Sequence, residues 1–304
     1  MDFGKLQDIS QVDFSLPADH PQTPSILAKS KKSPLEVYVG CPVWSCEAWV
    51  GTWYPPKTQS RDFLKYYAQQ FNTIELNTTH YRIPDLSTIN KWRESTPIYF
   101  RFCPKIPQVI SHDHLLQDVI LLNQTFCENV YALGNRLGIC FLQLPPYFTP
   151  DKLAILENYI KHFPSQVPLS VEFRHEAWFA KRNGLVPINE ATEMLESYGV
   201  STVICDVAGR RDVLHQRLTT TTAVIRFVGN NLHPTDYSRI DEWTHRIQNW
   251  IDMGLEKLYF FVHEPDNILS PDLSLYFVEK INKALKLSLK TPISYKKHSQ
   301  IKLF

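Results

Sequence analysis

The chain has 304 residues, 43% of them hydrophobic and 21% charged, with a formal net charge of +1. That balance creates no global field for nucleic acid or an anionic membrane, and no apolar run approaches the roughly 20 residues of a membrane span. The length suits one large core, and a single (β/α)8 domain uses roughly 250 residues.

The opening MDFGKLQDIS carries Asp2 and lacks an apolar signal-type segment, so a cytoplasmic protein is expected. The six cysteines Cys41, Cys46, Cys103, Cys127, Cys140 and Cys205 contain no CxxC pair, so buried free thiols are the simpler reading and no zinc site is expected. Residues 1–36 read as an arm. Its apolar Phe3, Leu6, Ile9, Val12, Phe14 and Leu16 suit a strap on the body, with a looser stretch near 18–34 where prolines break regular structure.

Residues 37–286 alternate regularly. Strand one is predicted near 37–41 and a helix over 60–71 with Ser60 as cap. Strand two covers 73–79, followed by a helix over 87–95 that Ser87 could cap. Strand three is predicted at 98–103, and a long amphipathic stretch over 113–136 leads to strand four at 139–144. Pro150 opens a helix over 150–162. Strand five (168–174), a helix (188–198) and strand six (201–206) follow. Segment 207–220 is the weakest helix. Strand seven (223–228), a helix (236–253), strand eight (257–263) and a helix (272–286) complete the set. The runs VYVGC, TIELNTTHY, YFRFCPK, CFLQLPP, LSVEFRH, TVICD, AVIRFVG and LYFFVHE, spaced by helices, predict an α/β fold: a closed (β/α)8 TIM-type barrel in one domain. Residues 287–304 form a basic tail, read as either a fraying end or a surface strap.

Side chains alternate along a strand, and the face toward the helices should be apolar. That rule sends Glu75, Asn77 and Thr79 inward on strand two, Tyr99 and Arg101 on strand three, and Phe141 and Gln143 on strand four. It sends Ser170, Glu172 and Arg174 inward on strand five, Ile204 and Asp206 on strand six, Arg226 on strand seven, and Phe261 and His263 on strand eight. Charges gathered in a lumen either pair as a buried ionic plug or keep an edge for a ligand. Those at strand C-termini lie where barrel sites sit. Counting Lys105, three carboxylates (Glu75, Glu172, Asp206) face four cations (Arg101, Lys105, Arg174, Arg226). A surplus cation invites an anion.

Other residues have two readings each. Trp44, Trp49, Trp53 and Tyr54 could floor a pocket, though hydrophobic packing is the plainer expectation. Lys105, flanked by Pro104 and Pro107, is a positioned cation; a Schiff-base role requires a lowered pKa. His112 and His175 suit acid–base work or a structural hydrogen bond. Glu172, Asp206 and His263 could together take a divalent metal, although neighbouring arginines oppose it. Glu75 and Glu172 could be a glycosidase pair, but arginines would hold both ionised. The sequence has no GxGxxG, P-loop, HExxH or GxSxG, and no cofactor is expected.

The stretches FNTIELNTTHYRIP, LGICFLQLPPYF, VEFRHEAWF, GCPVWSCEAWVGTWYP and YFRFCPKIPQVISHD resemble the YecE-like family, known as domain of unknown function 72. The resemblance covers about 37–264. It implies a TIM-type barrel and no particular activity. The positions it carries over are Trp44, Glu75, Asn77, Tyr81, Lys105, Gln143, Glu172, Arg174, His175, Trp178, Asp206 and Arg226. Two departures stand out: Val228-Gly229 where the family often has His-Gly, and His263-Glu264 where it often has two asparagines.

The expected function is an enzyme binding a small phosphate- or carboxylate-bearing molecule through Arg101, Lys105, Arg174 and Arg226. Glu172 or Glu75 would be general base and Asp206 an orienting group. Trp44, Asn77, Tyr81, Gln143, His175, Trp178 and His263 complete the expected binding set. The alternatives are a metal-assisted phosphodiesterase using Glu172, Asp206 and His263, and a non-catalytic binding protein. No membrane or nucleic-acid partner is expected.

Overall fold

A computed structural model describes residues 4–181 and 184–295. Eight strands form the centre: β1 (Glu36–Gly40), β2 (Thr73–Leu76), β3 (Arg101–Pro104), β4 (Cys140–Gln143), β5 (Leu169–Glu172), β6 (Ser201–Asp206), β7 (Thr222–Val228) and β8 (Lys257–His263). The helices are α1 (Thr23–Leu27), α2 (Phe63–Gln70), α3 (Thr78–Tyr81), α4 (Leu86–Glu94), α5 (Ile120–Tyr131), α6 (Leu153–Lys161), α7 (Pro187–Ser197), α8 (Pro234–Met253) and α9 (Ser270–Leu285). Pairing is parallel throughout, in a six-stranded sheet of order β1-β8-β7-β6-β5-β4 and a separate β2-β3 pair.

The ladder is interrupted where side chains and single bonds replace strand pairing. Between β1 and β2, the Asn72 amide accepts from Val39 N and donates to Val37 O, each at 2.8 Å. The Tyr67 hydroxyl accepts from Cys41 N at 2.7 Å. Gly40 is required here, since a Cβ would meet Thr73 O at 2.1 Å. Between β3 and β4, Gly138 N donates to Phe102 O at 2.7 Å and Ile106 N to Phe141 O at 3.0 Å. A Cβ on Gly138 would meet Phe102 O at 2.9 Å.

Apolar residues divide between the two strand faces. Tyr38, Cys103, Ile139, Phe141, Val203, Val224, Tyr259 and Phe261 pack together on the inner face. Val37, Val39, Ile204, Ile225, Phe227 and Phe260 pack outward with Trp243, Ile247 and Phe277 of α8 and α9. Helix ends follow local chemistry. Asp85, rather than Ser87, caps α4 by accepting from Thr88 N at 2.7 Å. A box of His233 and Asp236 opens α8.

Several expectations shift. Tyr99 precedes β3 and is exposed, because the strand begins only at Arg101. Segment 207–220 holds only a short turn, Ala208–Val213. The 113–136 stretch becomes a wide turn, Val109–Asp113, and then α5. The arm straps the body: Gly4 O accepts from Gly209 N at 2.9 Å, and Leu16 N donates to Glu242 of α8 at 2.9 Å. Asp19 accepts from Arg246 at 2.8 Å and from Trp250 at 3.0 Å. Beyond α9 the chain is also strapped, with Ile293 N donating to Gln70 and Tyr295 N to Thr52 O. The tail from 296 onward and Phe3 of the arm lie outside the described residues.

Candidate functional site

At the C-terminal ends of the strands a cleft of about 580 Å³ is lined by Tyr81, Lys105, Gln143, Arg174, Cys205, Arg226 and His263, with His80, His112 and Glu264 among its other walls. Its floor is an ion network that the alternation of β2, β5 and β7 places on one face. Glu75, fully buried, accepts from Arg226 Nε at 2.8 Å and Nη2 at 2.9 Å, from His263 Nε2 at 2.9 Å and from Asn77 at 2.9 Å. Arg226 Nη1 also donates to Glu172 at 2.7 Å, and Arg174 Nε holds the other Glu172 oxygen at 2.6 Å.

Burial alone would push both carboxyls up. The facing cations outweigh it. Glu75 is held well below the ordinary carboxylate range by Arg226 and His263, and Glu172 is pulled down to about 2 by Arg174 and Arg226. Neither is therefore suited to general-base work at neutral pH. Burial and then the neighbouring Arg226 and Arg174 lower Lys105 to about 8. Its Nζ lies 6.0 Å from the Phe141 ring centre, and it has no ion-pair partner among the described residues. Burial, joined by the charge of Lys105, lowers His80 and His112 to about 4, so both rings are neutral at pH 7. Their rings meet edge to face at 5.0 Å.

The cleft thus joins Tyr81, Lys105, Gln143, Arg174, Arg226 and His263, over a floor of Glu75, Asn77 and Glu172. Five expected members lie elsewhere. Arg101 sits at the opposite end, stacked 5.3 Å from Tyr38 and lining a separate hollow with Glu36 and Lys257, because it is the first residue of β3. Asp206 lies on the outer face of β6. Its register partner is outward Phe227, while Cys205 pairs with inward Arg226. There Asp206 binds Arg211, Arg239 at 2.8 Å and Trp243 Nε1 at 2.7 Å. Ile204, expected inward, is outward for the same reason. Trp44 packs edge-on against Trp92 at 5.9 Å and Phe102 at 6.5 Å. Trp178 is fully buried, donating to Phe148 O at 2.8 Å. His175 accepts from Ala177 N at 3.0 Å and caps a turn.

The metal alternative loses its geometry: Glu172 and His263 face the cleft, but Asp206 is turned away among cations. Sequence reasoning missed Glu264 as a wall residue. It is 3% exposed, accepts from Asn231 N at 2.8 Å, and leaves Oε1 without a partner among the described residues. Burial, helped by nearby Asp236 against the pull of that N–H, raises it to about 7. Its signal was the departure at His263-Glu264; Val228, at the other departure, also lines the cleft.

Residues 38–296 match the family model described as protein of unknown function DUF72. The chain is 32% identical over 267 residues to the UPF0759 protein YecE of Escherichia coli K12, covering 82% of this chain and 94% of YecE. It is 27% identical over 180 residues to the UPF0759 protein YunF of Bacillus subtilis, covering 56% of this chain and 60% of YunF. Two crystal structures of a DUF72 family protein from Enterococcus faecalis share the fold. They give TM-scores of 0.65 and 0.62 at 17% and 16% identity, covering 83% and 84% of this chain and 96% and 99% of theirs. With the family model spanning residues 38–296 and YecE aligned over most of its length, the chain belongs to the DUF72 family.

Proposed function

We propose that this DUF72 protein is an enzyme acting on a small molecule that bears a phosphate or carboxylate, held where the strands end. On this reading the eight strands work as one (β/α)8-type barrel, since Glu75 of β2 meets Arg226 of β7 across the centre and single hydrogen bonds span the two breaks in the ladder. The observation that carries the proposal is the charge balance of the cleft floor. Glu75 and Glu172 neutralise Arg226 and Arg174, which leaves the Lys105 ammonium in surplus. A desolvated cation beside a guanidinium wall favours an anion over water. Lys105 and Arg174 would hold that group, with Gln143 and Tyr81 within the same cleft.

Proton transfer falls to His263 rather than to Glu75 or Glu172. Glu75 fixes the His263 ring through Nε2, leaving Nδ1 for a ligand, an arrangement typical of an oriented imidazole base. Six unpaired thiols, five of them buried, fit a cytoplasmic setting.

Calorimetric titration with inorganic phosphate and with malonate tests the proposal. Saturable binding of one anion, weakened tenfold or more in Lys105→Met, is the expected result. A second reading, the ionic plug, draws on the complete mutual pairing of Glu75, Glu172 and Arg226. It requires that neither anion binds and that Lys105→Met changes nothing but stability.

A further inference from the structure

The backbone that carries the Lys105 side chain is fixed at the cleft by hydrogen bonds on both sides of the peptide. Lys105 N donates to Leu76 O at 3.1 Å, its carbonyl accepts from Thr79 Oγ1 at 2.7 Å, and the next residue, Ile106, donates to Phe141 O at 3.0 Å. The side chain is 8% exposed and leans over the Phe141 ring. Every wall of its cleft carries a charged or titratable group: Lys5 of the arm, Glu75 of β2, His80 and Tyr81 of α3, His112 and Asp113, Glu172 and Arg174 at β5, Cys205 of β6, Arg226 of β7, and His263 and Glu264 at the end of β8. Glu75 and Glu172 are both committed to the two arginines. The amine therefore meets burial and two guanidiniums with no carboxylate bound to it among the described residues.

We propose that Lys105 is a covalent attachment point, forming an imine with an aldehyde or ketone that carries a phosphate or carboxylate. The inference rests on the anion-binding reading of this cleft and adds the carbonyl to it. A lysine withdrawn from water and set beside other cations is the setting in which an amine becomes a nucleophile. Its lowered pKa of about 8 leaves roughly a tenth of it neutral at pH 7. The Nζ lone pair attacks the carbonyl carbon, the C=O π pair moves to oxygen, and the proton released by nitrogen passes to that oxygen. The carbinolamine then takes one proton from solvent through the His263 ring. Its C–O bond breaks, water leaves, and the nitrogen pair closes a protonated C=N bond. Amine, carbonyl and one proton give iminium and one water.

Borohydride trapping tests this. The protein is incubated with glycolaldehyde phosphate or with glycolaldehyde, reduced, digested and mapped by mass spectrometry, with and without inorganic phosphate. Phosphate binding is measured by calorimetry on the same samples. The expected result is reductive labelling concentrated on Lys105, at least tenfold faster with the phosphorylated probe than without phosphate on it. Added phosphate should suppress it. The rate should rise nearly tenfold per pH unit below about pH 8 and level off above. In Lys105→Arg the label should vanish without moving to other lysines. Label spread over surface lysines, with phosphate bound normally, overturns the imine and leaves the anion reading intact. Absence of both phosphate binding and Lys105 labelling overturns both.

Discussion

Lys105 and Arg226 lie against one aromatic ring, their cationic groups 6.0 and 5.8 Å from the centre of Phe141, yet among the described residues only Arg226 of the two carries counter-ions. The pair divides the cleft into a neutralised floor and a surplus charge above it. On the proposed reading, stability rests on the first and ligand chemistry on the second.

Replacing Arg226 by Met leaves Glu75 and Glu172 facing each other without their shared cation. Loss of one partner in a buried network costs about 3–5 kcal/mol. Urea unfolding of Arg226→Met is expected to show that loss, and a wild-type midpoint would refute the assigned role of the floor.

Lys105→Met should act in the opposite direction on stability. The folded-state pKa of about 8 lies below the ordinary lysine value of 10.5, so holding the charged amine opposes folding. The penalty is full below pH 8 and is relieved as pH rises from about 8 to 10.5. At pH 7 the variant should be more stable than the wild type by on the order of 1–3 kcal/mol, with the gap narrowing across that window. Thermal unfolding at pH 7, 9 and 10.5 measures it.

Asp206→Asn should destabilise without touching ligand binding. Asp206 is buried on the outer face of β6 among Arg211, Arg239 and Trp243, and its loss takes a buried carboxylate from both guanidiniums, leaving Arg239 with Asp236 alone and costing about 3 kcal/mol. Phosphate affinity should match the wild type. A tenfold loss of affinity would return Asp206 to the site.

Acid should weaken the protein through the floor. The Glu172 pKa of about 2 lies below its ordinary 4.5, so its contribution is present above pH 4.5 and disappears as pH falls toward 2. Below pH 6.5, His80 and His112 add a further loss, since the unfolded chain takes up protons that the folded rings resist down to about 4. A stability profile from pH 7 to 3 should therefore fall in two stages. Glu172→Gln should flatten the lower stage.

The alternation of polar and apolar residues made much of this legible. Glu75, Glu172 and Arg226 stand between apolar neighbours, so their shared inward face could be read from TIEL, LSVEF and AVIRFV. In TVICD both faces are apolar enough to point inward. The choice fell to the register with β7, where Cys205 opposes Arg226 and Asp206 opposes Phe227. Trp44 and Trp178 carried no sign of sidedness either, since a large ring serves a pocket floor and a helix interface equally well.

The sequence by itself determined that the chain is a parallel α/β protein and which faces of β2, β5 and β7 look inward, because a strand's two-residue period is written in its side chains. Tertiary structure alone decided how deep each inward charge lies and what it meets. Arg101, the first residue of β3, and Lys105, one residue past its end, share a parity, yet they open onto opposite ends, and only the positions of strands distant in the chain settle that Arg226 finds carboxylates while Lys105 is left over. Periodicity records direction, whereas Coulomb pairing depends on distances across the fold that no local pattern encodes.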